Sequence, residues 1–124
     1  MRIDSHQHFW QFDPVRDSWI DSSMEKIAKD FEPKDLKPLL EQSKIDGCVA
    51  VQADQSETET EFLLKLAEHN SFVKGVVGWV DLSSNDLSER LDFYSNNLLF
   101  KGVRHILQAE KKGFMLQDSF LKGI

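Results

Sequence analysis

Lys74-Gly75-Val76-Val77-Gly78-Trp79-Val80 is a short apolar run opened by a Lys-Gly pair, and it has two counterparts in the same chain. Upstream stands Asp46-Gly47-Cys48-Val49-Ala50-Val51, and downstream Lys101-Gly102-Val103-Arg104-His105-Ile106-Leu107. The leading glycines, Gly47, Gly75 and Gly102, are 28 and then 27 residues apart. Runs of this length, rich in β-branched residues and without polar alternation, read as strands covered on both faces. A fixed period marks a repeated supersecondary unit.

The stretches between the runs carry helical period. Ser56-Glu57-Thr58-Glu59 has the form of a capping box, and Phe62, Leu63, Leu66 and Ala67 follow on one stripe. Asn85 to Asn97 sets Leu87, Leu91 and Tyr94 along another stripe. Pro33 suits a first helical position ahead of Leu36, Leu39 and Leu40, while Pro38 blurs where that helix starts. Residues 2–7 supply a first strand, followed by a long irregular segment from Phe9 to about Phe31, a length typical of functional or covering loops. Ser119 to Ile124 read as the opening of a fourth helix.

Strand, helix, strand at this period is a βα repeat, whose crossover helices keep the strands parallel. Four such strands could close as a small doubly wound domain. They could also be half of a (β/α)8 barrel, which takes roughly 200 residues or more. Because the last unit stops partway, the expectation is an α/β TIM barrel, with residues 1–124 as one N-terminal half-domain. That half supplies about the first four strands and three to four helices.

At 124 residues the chain suits one domain, and a formal charge of −6 with no Lys/Arg cluster argues against nucleic acid or anionic membrane as partner. The lone Cys48 closes no internal disulfide and lies in an apolar run as a small core residue, which favours a reducing compartment. With no apolar stretch near 18 residues and no signal-peptide core, the expectation is a soluble cytoplasmic protein.

His6 and His8 stand two apart on the first strand, so both side chains point to one face, with Asp4 at the same parity. Two imidazoles so placed can converge on one divalent ion. At the ends of the other strands stand Gln52, Asp54 and Gln55, then Trp79 and Asp81, then Arg104, His105 and Gln108. Active sites of βα folds lie at that end of the sheet. Arg104 inside an apolar run needs a partner, either a substrate carboxylate or hydroxyl cluster, or an Asp of a neighbouring strand. Arg104 and His105 face the same way only if the strand has ended or bulged there. His69 reads as a solvated cation at a helix C-terminus, and Phe9, Trp10, Phe12 and Trp19 as packing of the first loop ahead of the alternative, a wall over the site.

The stretches Ile3-Asp4-Ser5-His6-Gln7-His8-Phe9-Trp10, Val51-Gln52-Ala53, Gly78-Trp79-Val80-Asp81-Leu82 and Gly102 to Gln108 together resemble the amidohydrolase-2 branch of the amidohydrolase superfamily. Within it the resemblance is to sugar-lactone hydrolases, the fuconolactonase-like and rhamnonolactonase-like group. It runs in order along essentially the whole chain. It implies a (β/α)8 barrel more than twice this length, and addition of water to a lactone or similar acyl carbonyl. It implies that His6 and His8 hold a divalent metal, zinc foremost, or orient substrate or water in metal-independent members. It implies substrate contacts from Gln52, Trp79, Arg104, His105 and Gln108, with a lactone or carboxylate-bearing small molecule as substrate. The carboxylated lysine of binuclear members has no counterpart, so a binuclear site is not expected. The family's later histidine and last-strand Asp, the general base, would lie beyond residue 124; within the chain only Asp4 and Asp54 come into question. The chain alone is therefore expected to be inactive or nearly so, and to need a complementing C-terminal half. The competing expectation is a non-catalytic half-barrel that self-associates as a homodimer or binds a metal or small ligand.

Overall fold

The computed structural model describes residues 1–124. Strands β1 (Ile3–Gln7), β2 (Gly47–Val51), β3 (Val73–Gly78) and β4 (Phe100–Val103) form one sheet in chain order, every neighbouring pair parallel. Helices α1 (Pro33–Gln42), α2 (Glu57–His69) and α3 (Leu87–Ser95) make the three crossovers, and α4 (Asp118–Gly123) follows β4. The repeat read from the glycines is thus a sequence of four βα units.

One face of the sheet is sealed. Cys48 and Ala50 of β2 and Val76 of β3 are fully buried beneath Leu40 of α1, Leu63, Leu64 and Ala67 of α2, and Tyr94 of α3. Burial pushes the Cys48 thiol up to about 11, as befits a small core residue. The opposite face carries the half-buried Val49 and Val77 beside the buried Val51.

Local chemistry sets the helix ends. Pro33 does open α1, with Glu32 and Asp35 exchanging backbone bonds as a capping box. The helix closes on Lys44 at φ 56, with Ile45 N–H donating to the Leu40 carbonyl. That pattern is a Schellman end with lysine where glycine is the easier residue. At α2, Ser56 caps the Glu59 N–H as anticipated, but the Glu59 carboxylate reaches the Ala53 N–H instead of returning to Ser56. The box is therefore half formed, and its acid ties down the β2–α2 loop. Thr60, one residue on, accepts from the Trp79 N–H and donates to the Trp79 carbonyl. Gly78 permits this approach, since a Cβ there would stand 2.6 Å from the Thr60 methyl.

Three expectations need correction. The fourth strand ends at Val103 rather than running to Leu107; the chain bends into short 3-10 turns at Leu107–Ala109 and Phe114–Leu116. The third helix is shorter than its apolar period, spanning Leu87–Ser95. The Phe9–Phe31 segment is not irregular throughout: Trp10 and Phe31 form an antiparallel bridge, and a 3-10 helix spans Ser22–Ile27. Phe9 is buried and Trp10 packs on Phe31, so these two aromatics hold the loop down, whereas Trp19 is exposed. No helix is long and apolar enough to cross a membrane.

Candidate active site at the strand ends

β1 carries a register irregularity between Asp4 and Gln7. Asp4 aligns with Cys48 and Gln7 with Ala50, so Asp4 and Gln7 share the helix-covered face although they are three residues apart. His6 and His8, flanking Gln7, therefore lie together on the opposite face, and Asp4 does not join them. Its two carboxylate oxygens accept from the His6 N–H and the Gln7 side-chain amide. The shared parity expected of Asp4 fails because the irregularity inverts it.

The two imidazoles converge, with Nε2 of His6 3.1 Å from Nε2 of His8. His8 Nδ1 lies 2.9 Å from the Val51 carbonyl, which can only accept, so Nδ1 carries the proton and Nε2 presents its lone pair. Burial holds the His8 pKa below its ordinary value, and the positive charges of His6 and Arg104 act in the same direction against the opposing Val51 bond. His8 is thus a neutral imidazole of fixed tautomer at neutral pH, the form in which histidine binds a metal or accepts a proton.

Gln52 and Arg104 meet across the end of β3. The Gln52 side-chain amide donates to the Arg104 carbonyl at 3.1 Å, and the Arg104 guanidinium donates to the Gln52 carbonyl at 3.2 Å. Gln52 is fully buried and its Oε1 has no partner. Arg104 is half-buried, yet no carboxylate stands within ion-pair distance of it. Within this chain, then, no Asp of the neighbouring strand β3 pairs with it.

His105 goes elsewhere. Its Nδ1 accepts from the Trp79 indole N–H at 3.3 Å, and its Nε2 meets Glu110 Oε1 at 2.7 Å. Its ring stacks on Phe114 and abuts Phe120, leaving the side chain 8% exposed. Both ring nitrogens expected to meet a substrate are thus engaged within the chain. Gln108 sits exposed on the 3-10 turn without a side-chain bond. Asp54 accepts from the Ser56 hydroxyl and lines a polar cleft with Gln11, Arg16 and Glu59, a cleft that includes neither His6 nor His8. Gln55 accepts from the Ile106 N–H, and Asp81 from the Ser83 N–H. His69 is exposed and bonds the Lys65 carbonyl of its own helix, as a helix-end residue should.

Two further residues, Thr60 and Glu110, organise this end without belonging to a sequence motif. Thr60 could have been noticed as a polar residue at an inward position of α2. Glu110 lies in an aperiodic stretch and gives no such signal.

No cluster of three His, Cys, Asp or Glu side chains capable of holding a metal is present. The His6–His8 pair is the nearest approach to one. Its 3.1 Å separation is close to the roughly 3.3 Å expected between two nitrogens bonded at about 2.0–2.1 Å to a tetrahedral zinc ion. The pair fits two positions of such a shell and leaves the others open.

Comparison with known proteins places the arrangement. The Amidohydrolase family model matches residues 3–120. An L-fucono-1,5-lactonase of Burkholderia ambifaria is 41% identical over 121 residues, which is 98% of this chain and 42% of that protein. An L-fucono-1,5-lactonase of Burkholderia multivorans is 38% identical over 126 residues, all of this chain and 42% of that protein. A crystal structure of an amidohydrolase from Burkholderia multivorans with bound Zn superimposes with TM-score 0.94 at 38% identity, covering 99% of this chain and 44% of that one. The chain thus spans under half the length of the curated relatives it matches. Its four units are the first four of a (β/α)8 barrel, and the chain belongs to the Amidohydrolase family.

Proposed function

We propose that this chain carries one side of the active site of a sugar-lactone hydrolase acting on L-fucono-1,5-lactone or a closely similar lactone. The observation that carries the reading is the convergence of His6 and His8 at 3.1 Å on the face where Arg104 stands without a carboxylate partner. The L-fucono-1,5-lactonase relatives supply the substrate class.

Lactone opening adds water to the ring carbonyl, passes through an oxyanion and breaks the ring C–O bond to give a hydroxy acid. His6 and His8 would hold one divalent ion, and the zinc in the similar amidohydrolase structure makes zinc the first candidate. When bound, such an ion lowers the pKa of a water and polarises the carbonyl. His8, neutral through burial and with Nδ1 locked on Val51, keeps its Nε2 lone pair directed inward. Arg104, held by Gln52, sets a guanidinium where the oxyanion and then the product carboxylate need positive charge. Trp79 forms an apolar wall for the sugar ring.

The base that must take the proton of water has no carboxylate candidate beside the histidines, since Asp4 and Asp54 are both engaged elsewhere. We therefore expect the chain alone to be inactive or nearly so, and to act with a complementing C-terminal half-barrel.

The test is to follow acid release from L-fucono-1,5-lactone with this chain alone, and again after co-refolding with the remaining portion of the Burkholderia ambifaria relative. Expected is no turnover alone, turnover in the mixture, and its loss in His8→Ala or Arg104→Met. Turnover by the chain alone at the rate of a full-length relative overturns the need for a second half. A mixture that turns over undiminished with His8→Ala overturns the role of the histidine pair.

A further inference from the structure

Arg104 and His105 are adjacent, yet only Arg104 reaches the histidine face, and the surroundings of His105 give it a different task. Its imidazole is gripped on every side. The Trp79 indole N–H is a donor only, so His105 Nδ1 must be the acceptor, and Nε2–H then donates to Glu110. Phe114 stacks on the ring at 5.0 Å with planes 16° apart, and Phe120 of α4 meets it edge-on at 5.6 Å. Both Phe114 and Glu110 come from the segment after β4, so that segment is coupled to the end of β3 through one ring. The Trp79 backbone is already clamped by Thr60. The remaining freedom of the residue is rotation of its indole, and His105 is the group that bonds the indole nitrogen.

We propose that His105, oriented by Glu110, is a positioning residue that fixes the Trp79 indole at the strand ends, and is not itself a substrate contact. The consequence for substrate binding rests on the reading of Trp79 as a wall for the sugar ring; the positioning itself does not. Substitutions at His105 that keep its packing should therefore act on substrate binding through the orientation of Trp79.

The chemistry supplies a discriminating pair of variants. Asn at position 105 can present an oxygen near the place of Nδ1, while Gln can reach the place of Nε2 and so serve Glu110 but not the indole. The experiment uses the 124-residue chain with Trp10→Phe and Trp19→Phe, which leaves Trp79 as the sole tryptophan, and follows its indole N–H by proton–nitrogen NMR. Expected is a shifted indole signal and solvent exchange faster by about tenfold in His105→Gln, the ratio that corresponds to one ordinary hydrogen bond. His105→Asn should keep both close to the parent. Glu110→Gln should fall between them.

An indole signal unmoved in His105→Gln overturns the positioning, and so does equal disturbance in His105→Asn and His105→Gln, which would mark a general packing defect. In the complemented lactone assay, KM should rise in His105→Gln with kcat little changed, and stay near the parental value in His105→Asn. A KM unmoved while the indole has shifted overturns Trp79 as a wall for the sugar ring, and leaves the positioning standing.

Discussion

The strand ends of β1 and β2 and those of β3 and β4 use the same kinds of polar residue to opposite effect. At β1 and β2 the groups keep unfilled capacity: the His6 and His8 Nε2 atoms face each other, Gln52 Oε1 has no partner, and the nearby Arg104 has no counter-charge. At β3 and β4 the groups close on one another, through Thr60 on the Trp79 backbone, the Trp79 indole on His105, and His105 on Glu110. A polar group satisfied within the chain holds structure. One left short at the end of a parallel strand is available for chemistry, and it costs stability until something completes it.

The largest effect should come from breaking the closed side. Thr60→Val keeps the shape but strands the Trp79 N–H and carbonyl, and should lower unfolding free energy by about 3 kcal/mol in urea titrations. A loss of less than about 1 kcal/mol would show the clamp to be incidental. The open side is probed by zinc. His8→Ala should weaken zinc binding measured by calorimetry on the order of a hundredfold, whereas His69→Ala should leave it unchanged. Equal affinities in the parent and His8→Ala would remove the pair as a ligand site.

Smaller again is the effect of Arg104→Met on folding. Because the guanidinium makes one bond to a carbonyl and no ion pair, the substitution should move stability by less than about 1 kcal/mol while abolishing lactone turnover in the complemented enzyme. A large loss of stability would move Arg104 to the structural side of the comparison.

The pH dependence should separate two groups of the β1 and β2 end by sign. His8 has its pKa lowered, chiefly by burial, so below 6.5 the unfolded chain binds the extra proton first and stability falls as pH drops. Glu59 has its pKa raised by burial, so the folded chain holds the proton longer and stability falls as pH rises above 4.5. Urea midpoints measured across pH should lose the first trend in His8→Gln and the second in Glu59→Gln. Either trend persisting in its own variant would assign it to another group.

Much of this was legible along the chain. The glycine period declared the βα units, and the His-x-His spacing placed two imidazoles on one face, because period 2 in a strand and 3.6 in a helix are local properties. Asp4 departs from its sequence parity because a single irregularity in β1 inverts it. Gln52 was marked as a strand-end polar residue, but its exchange of bonds with Arg104 was not readable. Arg104 and His105 form one motif in the sequence but meet different partners in space, Arg104 bonding the Gln52 carbonyl and His105 the Trp79 indole and Glu110.

By itself, then, the sequence determined the repeated unit, the parallel order of the strands and the end of the sheet at which polar groups gather. Only the tertiary structure decided which of those groups stay open. That depends on partners far along the chain: Trp79 and His105 are 26 residues apart, Gln52 and Arg104 are 52, and no local pattern encodes whether such a bond is made.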